Sequence, residues 1–244
     1  MNKKVFPLLL AGIVFLALNS CKDKKESPYV VDELSTDYFP LAVNKYITYD
    51  VDSLVFNDST CEEAHQKLLI RHTIVDSFRD KYNRRSFRVE TRSRAESGDW
   101  KPGAVNYLTP LPDGLEYVEN NLRFVKLVFP VEDGRTWQGN ALNPATDNDL
   151  LFLAGWNYRY TNLGVPFTQN DKYYDTTFTV MQVDSTVGDP SKDPESFAMR
   201  LYGKEIYARK VGLVYKEFTY WTYDPATTKC KKGWKVIMKA VDFN

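Results

Sequence analysis

Histidine is scarce in this chain of 244 residues: His65 and His72 are the only two. On a helix, seven positions apart, they would share one face at a distance of two turns, too far for a close metal pair. No His-Glu-x-x-His and no Cys-x-x-Cys spacing occurs, so the familiar zinc patterns are missing. No Gly-x-Ser-x-Gly elbow and no glycine-rich phosphate loop is present. A Ser–His dyad assembled in space would leave no such trace. An excess of one charge is lacking too, with 32 basic and 32 acidic residues. That balance argues against nucleic-acid binding, which shows as a basic surface. Sustained helical periodicity, fixed-period repeats and low-complexity segments are also missing. No metal and no cofactor are expected from these residues.

What is present begins at the N-terminus. Lys3 and Lys4 precede a fourteen-residue apolar run, Val5 to Leu18, followed by Leu18-Asn19-Ser20-Cys21. The run is too short to span a bilayer, which takes roughly 20 apolar residues. The Leu-Asn-Ser-Cys end resembles a lipobox, whose cysteine is diacylated before cleavage. Residues 1–20 are therefore expected to be a lipoprotein signal peptide, and Cys21 the lipid attachment site that holds the mature chain on a membrane. The plainer reading is an ordinary secretory peptide. Cleavage leaves 30 basic against 32 acidic residues and no polybasic patch. With acyl chains as the anchor, none is needed.

Of three cysteines, the anchor leaves Cys61 and Cys230. An exported chain folds in an oxidising compartment, so a Cys61–Cys230 disulfide is expected, tying an early segment to the last hairpin. For a loop of about 170 residues the chain-entropy model gives about 5 kcal/mol as an upper figure. The alternative is two separate free thiols.

Residues 21–36 begin charged and lack periodicity, as a tether does. From Asp37 the chain reads as strands. Ile47, Tyr49 and Val51 alternate with Thr48, Asp50 and Asp52; Phe87, Val89 and Thr91 alternate with Arg88, Glu90 and Arg92. This is the two-residue period of half-buried strands. Asn120-Asn121 tolerates positive φ and suits a hairpin turn between 115–119 and 122–126. Segments 176–183 and 213–223 are rich in β-branched and aromatic residues. Trp234, Val236 and Met238 alternate with Lys235, Ile237 and Lys239 in a last strand. Helix candidates are Glu62 to Arg71, which could equally run into a strand through Ile74, and Asn148 to Leu153. The strongest breaker, Gly188 to Pro194, is expected to be a long loop within one domain. The fold class is mainly β: residues 37–244 as a single antiparallel curved sheet or half-open barrel, with at most one or two short helices.

Two features remain as candidate chemistry. Asp147-Asn148-Asp149 and the acids near Asp184, Asp189 and Asp193 carry oxygens that suit calcium, without an EF-hand pattern. Such density is ordinary in turns. Aromatics are abundant, with 16 Tyr, 14 Phe and 5 Trp. The runs around Trp156 and Tyr158, and around Trp221 and Tyr223, put aromatics on both faces of a strand. They are the candidate ligand-binding residues if exposed, stacking on sugar rings or lining a lipid cavity; otherwise they are core.

Three short elements resemble those of uncharacterised Bacteroidota lipoproteins. They are Tyr38-Phe39-Pro40-Leu41 with Tyr46 and Tyr49, Phe129-Pro130 with Gly134-Arg135-Thr136-Trp137, and Tyr207-Ala208-Arg209-Lys210-Val211-Gly212-Leu213-Val214. The first departs from the usual pattern, with Asn44 for a glycine and Ile47 for a tryptophan. Asn44 can still adopt positive φ. Lys22-Asp23-Lys24-Lys25-Glu26 loosely resembles the charged surface-export signals of such lipoproteins. The resemblance implies a half-barrel β fold and an outer-membrane location, on the periplasmic or cell-surface side. It brings no catalytic residues.

Three functions are expected, in order of preference. The first is a non-enzymatic envelope module binding a partner protein or glycan. The second is a carrier of an apolar ligand such as lipid in a half-open barrel, which requires a hollow interior. The third is a polysaccharide or peptide hydrolase, which requires converging carboxylates or a Ser–His pair.

Overall fold

The computed structural model describes residues 37–143 and 148–244. The expected signal peptide, Cys21 and the whole of the expected tether, residues 21–36, lie outside them. The described residues belong to one unit, Val31–Asn244.

Twelve strands form one sheet, every pairing antiparallel. In chain order they are β1 (Tyr46–Phe56), β2 (Glu63–Arg79), β3 (Arg85–Arg94), β4 (Lys101–Leu111), β5 (Gly114–Glu119), β6 (Leu122–Val128), β7 (Thr136–Gln138), β8 (Asn157–Gln169), β9 (Lys172–Val187), β10 (Ala198–Ala208), β11 (Gly212–Tyr223) and β12 (Lys231–Phe243). Their spatial order is β6-β5-β4-β3-β2-β1-β12-β11-β10-β9-β8-β7. Each half is a meander of hairpins, and β1 and β12 join the halves. The sheet curls into a barrel with one unsealed seam, between β6 and the β7–β8 edge.

Local chemistry accounts for the turns. Asn120 and Asn121 both have positive φ, 51° and 63°, and connect β5 to β6. Asn44 sits at φ 72° just before β1. The segment Glu62 to Arg71 is strand, not helix, from Glu63 on: it lies in β2, which pairs with β1 on one side and, from Leu69, with β3 on the other. The alternation Leu68, Ile70, His72, Ile74 decides it, because a period of two buries one face in a sheet. Asn148–Leu153 is a short 3-10 helix of six residues. The 188–197 loop leaves the pairing of β9 with β10 intact.

Cys61 and Cys230 form a disulfide, with Cα atoms 5.0 Å apart across a sequence separation of 169. It links the approach to β2 with the approach to β12, on either side of β1.

The larger core cluster runs from Ile74, Phe87, Val89 and Leu108 to Tyr158, Tyr160, Phe178 and Tyr207. The second gathers Tyr49, Val51, Met238 and Ala240 with Tyr174, Ile206 and Val214. Phe152 of the 3-10 helix stacks on Tyr220 at 4.6 Å and meets Trp234 edge-on at 5.9 Å. Trp156 stacks on Phe218 at 6.0 Å. Phe218 and Tyr220 share a face of β11 with Lys216, so this aromatic plug fills one stretch of the concave face.

Candidate functional site

Beyond the plug the concave face is hollow. A cavity of about 240 Å³ lies between β1–β6 and β10–β12. Register places its wall. Glu205, Lys216, Met238 and Val51 are successive cross-strand partners over β10, β11, β12 and β1. His72 opposes Thr91, Ile74 opposes Val89, and Val89 opposes Asn106. Directly opposed residues share a face. The wall is mostly apolar, with Ile47, Ile70, Ile74, Val89, Leu108 and Met238.

Set into this wall is a polar cluster. Lys126 of β6 reaches across the interior to Glu205 of β10, forming an ion pair. Glu205 is fully buried, and Tyr207 Oη donates to its Oε2 at 2.7 Å. Burial pushes the Glu205 carboxyl up, but Lys126, Lys216 and the bond from Tyr207 outweigh it and hold it below its ordinary value. Burial lowers the Lys126 ammonium more than Glu205 restores it. Lys216 runs the other way: burial lowers it, yet the charges of Glu119 and Glu205 leave it raised. His72 packs edge-on against Tyr49 at 5.3 Å, and burial holds it neutral, near 4. Tyr49 Oη donates to the Leu213 carbonyl at 3.0 Å, and Asn106 Nδ2 donates to Tyr117 Oη at 2.8 Å. Asn106 Oδ1 and Thr91 Oγ1 are buried without a hydrogen-bond partner.

Two of the three resembling elements meet at the end of this cavity. Phe39, Pro40, Val211 and Gly212 all line it. Asp37 pairs with Arg209 at 3.1 Å and accepts the Lys210 N–H at 2.7 Å, while Tyr38 packs on Phe178 at 4.6 Å. The third element lies at the seam, where Trp137 Nε1 donates to the Val125 carbonyl at 2.8 Å.

The four candidate aromatics do not make one exposed surface. Trp156 and Tyr158 are buried in the larger core, where Tyr158 Oη donates to Asn140 Oδ1 at 2.8 Å. Tyr223 is buried and donates to the Pro194 carbonyl at 2.8 Å. Trp221 is half-buried, with the Lys231 ammonium 4.7 Å from its ring. Trp221 and Tyr223 line a second, more open depression of about 580 Å³ beside the disulfide. The expectation of exposure fails for three of the four because a strand closed into a barrel and covered at its loops buries aromatics on both faces.

The histidines are separated too. An odd spacing on a strand sends them to opposite faces, so His65 is exposed while His72 lines the cavity. The Asp147-Asn148-Asp149 run lies outside the residues whose side chains are described. Asp189 and Asp193 accept hydrogen bonds from Ser191 and Ser196, and Asp184 pairs with Arg200. Among the described residues, no three His, Cys, Asp or Glu side chains converge as a metal-binding group.

No family model matches the chain, and no curated protein matches it. One crystal structure from Bacteroides fragilis, described as a "putative exported protein with YmcC-like fold", is similar at a TM-score of 0.37 and 12% identity. The match covers 84% of this chain and 98% of that one. So distant a likeness assigns this chain no function.

The interior cluster escapes a reading of the sequence because charged side chains are ordinarily exposed, yet Lys126 alternates in step with Leu122 and Phe124, and Lys216 with Phe218 and Tyr220, so a period of two puts both on an apolar face. A regular hairpin closing at Ala208 and Gly212 would set Glu205 opposite Tyr215; the register shift between Ile206 and Tyr207 is what brings Lys216 opposite Glu205, and the turn residues do not reveal it.

Proposed function

We propose that this chain is a lipid-anchored, non-enzymatic envelope protein that holds a small amphipathic ligand in its barrel interior. The observation that carries this reading is the hollow, largely apolar cavity with its built-in polar cluster. Ligand sites are concave and mostly apolar, with a few placed polar groups. At about 240 Å³ the space suits a small molecule or a short chain rather than a whole diacyl lipid. The anchor at Cys21, the family resemblance and the outer-membrane location belong to the same proposal. They rest on the signal-peptide residues and the three short elements.

A second reading keeps the partner-protein or glycan module, with the depression at Trp221 as its surface. A half-buried indole with a lysine over it is a platform for a sugar ring or a loop.

Native mass spectrometry of the mature chain carrying Cys21→Ser, purified from a periplasmic fraction, tests the first reading. A reproducible adduct of small-molecule mass, stripped by organic solvent and lost in the cavity-filling variant Ile74→Trp, is the expected result. A bare chain in every preparation would overturn it and leave the surface reading ahead.

A further inference from the structure

Three lysines and two glutamates line the cavity: Lys45, Lys126 and Lys216 against Glu119 and Glu205. Burial keeps His72 neutral at ordinary pH. The lining therefore carries one positive charge in excess before any ligand enters. The contacts are shared unevenly. Glu205 gives one carboxylate oxygen to Lys126 and the other to the Tyr207 hydroxyl. Lys216 is the direct cross-strand partner of Glu205, yet both oxygens are already engaged. Glu119 acts on Lys216 through its charge, without contact. Among the described residues no carboxylate lies within ion-pair distance of the Lys216 ammonium, and it donates no hydrogen bond to the protein.

Position separates the two lysines that Glu205 does not hold. Lys45 stands at the end of the barrel, next to the exposed Val43 and Asn44. Lys216 sits in the middle of β11, opposite Met238 of β12 and on the same face as Phe218 and Tyr220 of the aromatic plug. An ammonium enclosed by hydrocarbon loses hydration, and a counter-ion in direct contact offsets that cost. Hydrogen bonds between an ammonium and a carboxylate are charge-assisted and stronger than neutral ones. Lys216 has three N–H donors on a flexible stem to offer such a head. Ile47, Ile70, Ile74, Val89 and Leu108 supply hydrocarbon for the rest of a ligand. A ligand cation would meet the same excess of positive charge.

We propose that the interior cavity takes a monoanionic amphiphile, an apolar chain or ring ending in a single carboxylate, with that carboxylate on the Lys216 ammonium and the apolar part among the isoleucines. This rests on the reading of the interior as a ligand site and names its ligand class. One negative head cancels the one charge in excess. Glu119 competes for Lys216 only at a distance, so the head displaces no existing ion pair.

Three probes of equal chain length separate the outcomes: octanoate, 1-octanol and octylammonium. Each is titrated at neutral pH into the mature chain carrying Cys21→Ser, with methyl groups of Ile, Leu, Val and Met followed by NMR. Octanoate should bind about tenfold or more tighter than 1-octanol, and octylammonium weakest of the three. The largest shifts should fall at Met238, Ile70, Ile74 and Leu108. Lys216→Met keeps the length of the side chain and removes the charge. It should weaken octanoate about tenfold while leaving 1-octanol within about twofold, which also reports that the variant is folded. Lys45→Met should change octanoate affinity by less than about twofold, since the head lies away from the barrel end. If 1-octanol or octylammonium binds the unsubstituted interior as tightly as octanoate, the anionic class is overturned and the cavity stands as a ligand site. Octanoate weakened by Lys45→Met and not by Lys216→Met would overturn the assigned head position. Methyl shifts confined to other regions, or no binding by any probe, would sink the interior site itself.

Discussion

Tyr160 of β8 and Val128 of β6 are joined twice through one hydroxyl: Tyr160 Oη accepts the Val128 N–H at 3.0 Å and donates to the Val128 carbonyl at 2.9 Å. A side chain thereby substitutes for a rung of the ladder at the seam. Its neighbours do the same work along the β6 edge. Val125 N–H goes to the Gly139 carbonyl at 2.8 Å, the Val125 carbonyl takes the Trp137 indole, and Arg123 N–H goes to Asn143 Oδ1 at 2.7 Å. An open edge strand exposes unpaired backbone groups, and here they are satisfied without a continuous ladder.

Removing the Tyr160 hydroxyl should therefore open the seam locally. Tyr160→Phe leaves two backbone groups of Val128 without that partner and should cost about 1–3 kcal/mol in urea unfolding. Amide exchange at Val128 should accelerate by more than at β1 or β12. Uniform acceleration across the sheet would mean that the hydroxyl stabilises the barrel generally rather than the seam.

Gly139 approaches the ring of Tyr158 so closely that an added Cβ would lie 2.4 Å from its Cε2 and Cζ. Tyr158 is 1% exposed and cannot swing away. Gly139→Ala should destabilise by about 1–3 kcal/mol through overpacking and weaken the bond to Val125. In a Tyr158→Ala background the same change should cost little, and additive costs in this double-mutant cycle would contradict the clash.

Breaking the interior ion pair from one side should be worse than removing it. Lys126→Met leaves the Glu205 carboxylate buried with only Lys216 and Tyr207 to support it, at a cost of about 3–5 kcal/mol. Lys126→Met with Glu205→Gln should recover most of this. A double variant as unstable as the single one would show that the lysine acts through packing.

The titration of His72 has a defined sign. The unfolded side chain takes up a proton near 6.5 and the folded one only near 4. Between those values the unfolded state binds more protons, so stability falls as pH drops through that window, by at most about 3 kcal/mol. Glu205, held below its ordinary value, adds stability that is lost only at pH below the normal carboxylate range. His72→Phe should flatten the dependence between pH 6.5 and 4.5 in denaturant titrations. An identical slope in the variant would place the proton uptake elsewhere.

The Cys61–Cys230 link closes a long loop across β1. Cys61→Ala with Cys230→Ala should lower stability by about 2–4 kcal/mol while preserving the circular dichroism of the sheet. Unchanged stability would mean that neighbouring β1 pairing already confines both segments.

Much was legible from the chain alone. Two-residue alternation marked β1, β3 and β12, paired asparagines marked the β5–β6 turn, and the cysteine count together with an export signal pointed to the disulfide. These are local signals, since side-chain period and positive φ are properties of a few consecutive residues. The same alternation could not say which face of a strand would be concave. For that reason Lys126 and Glu205 are not singled out at all and Tyr158 reads as a platform, when all three face inward. The Glu62 to Arg71 ambiguity was settled by pairing with β1 and β3. Closure of the seam, the filling of one stretch by Phe152 and Trp156, and the hollow beside it join residues tens of positions apart in the chain. Only the tertiary structure decides those, because curvature sets how much volume the inward side chains must fill and where they fall short.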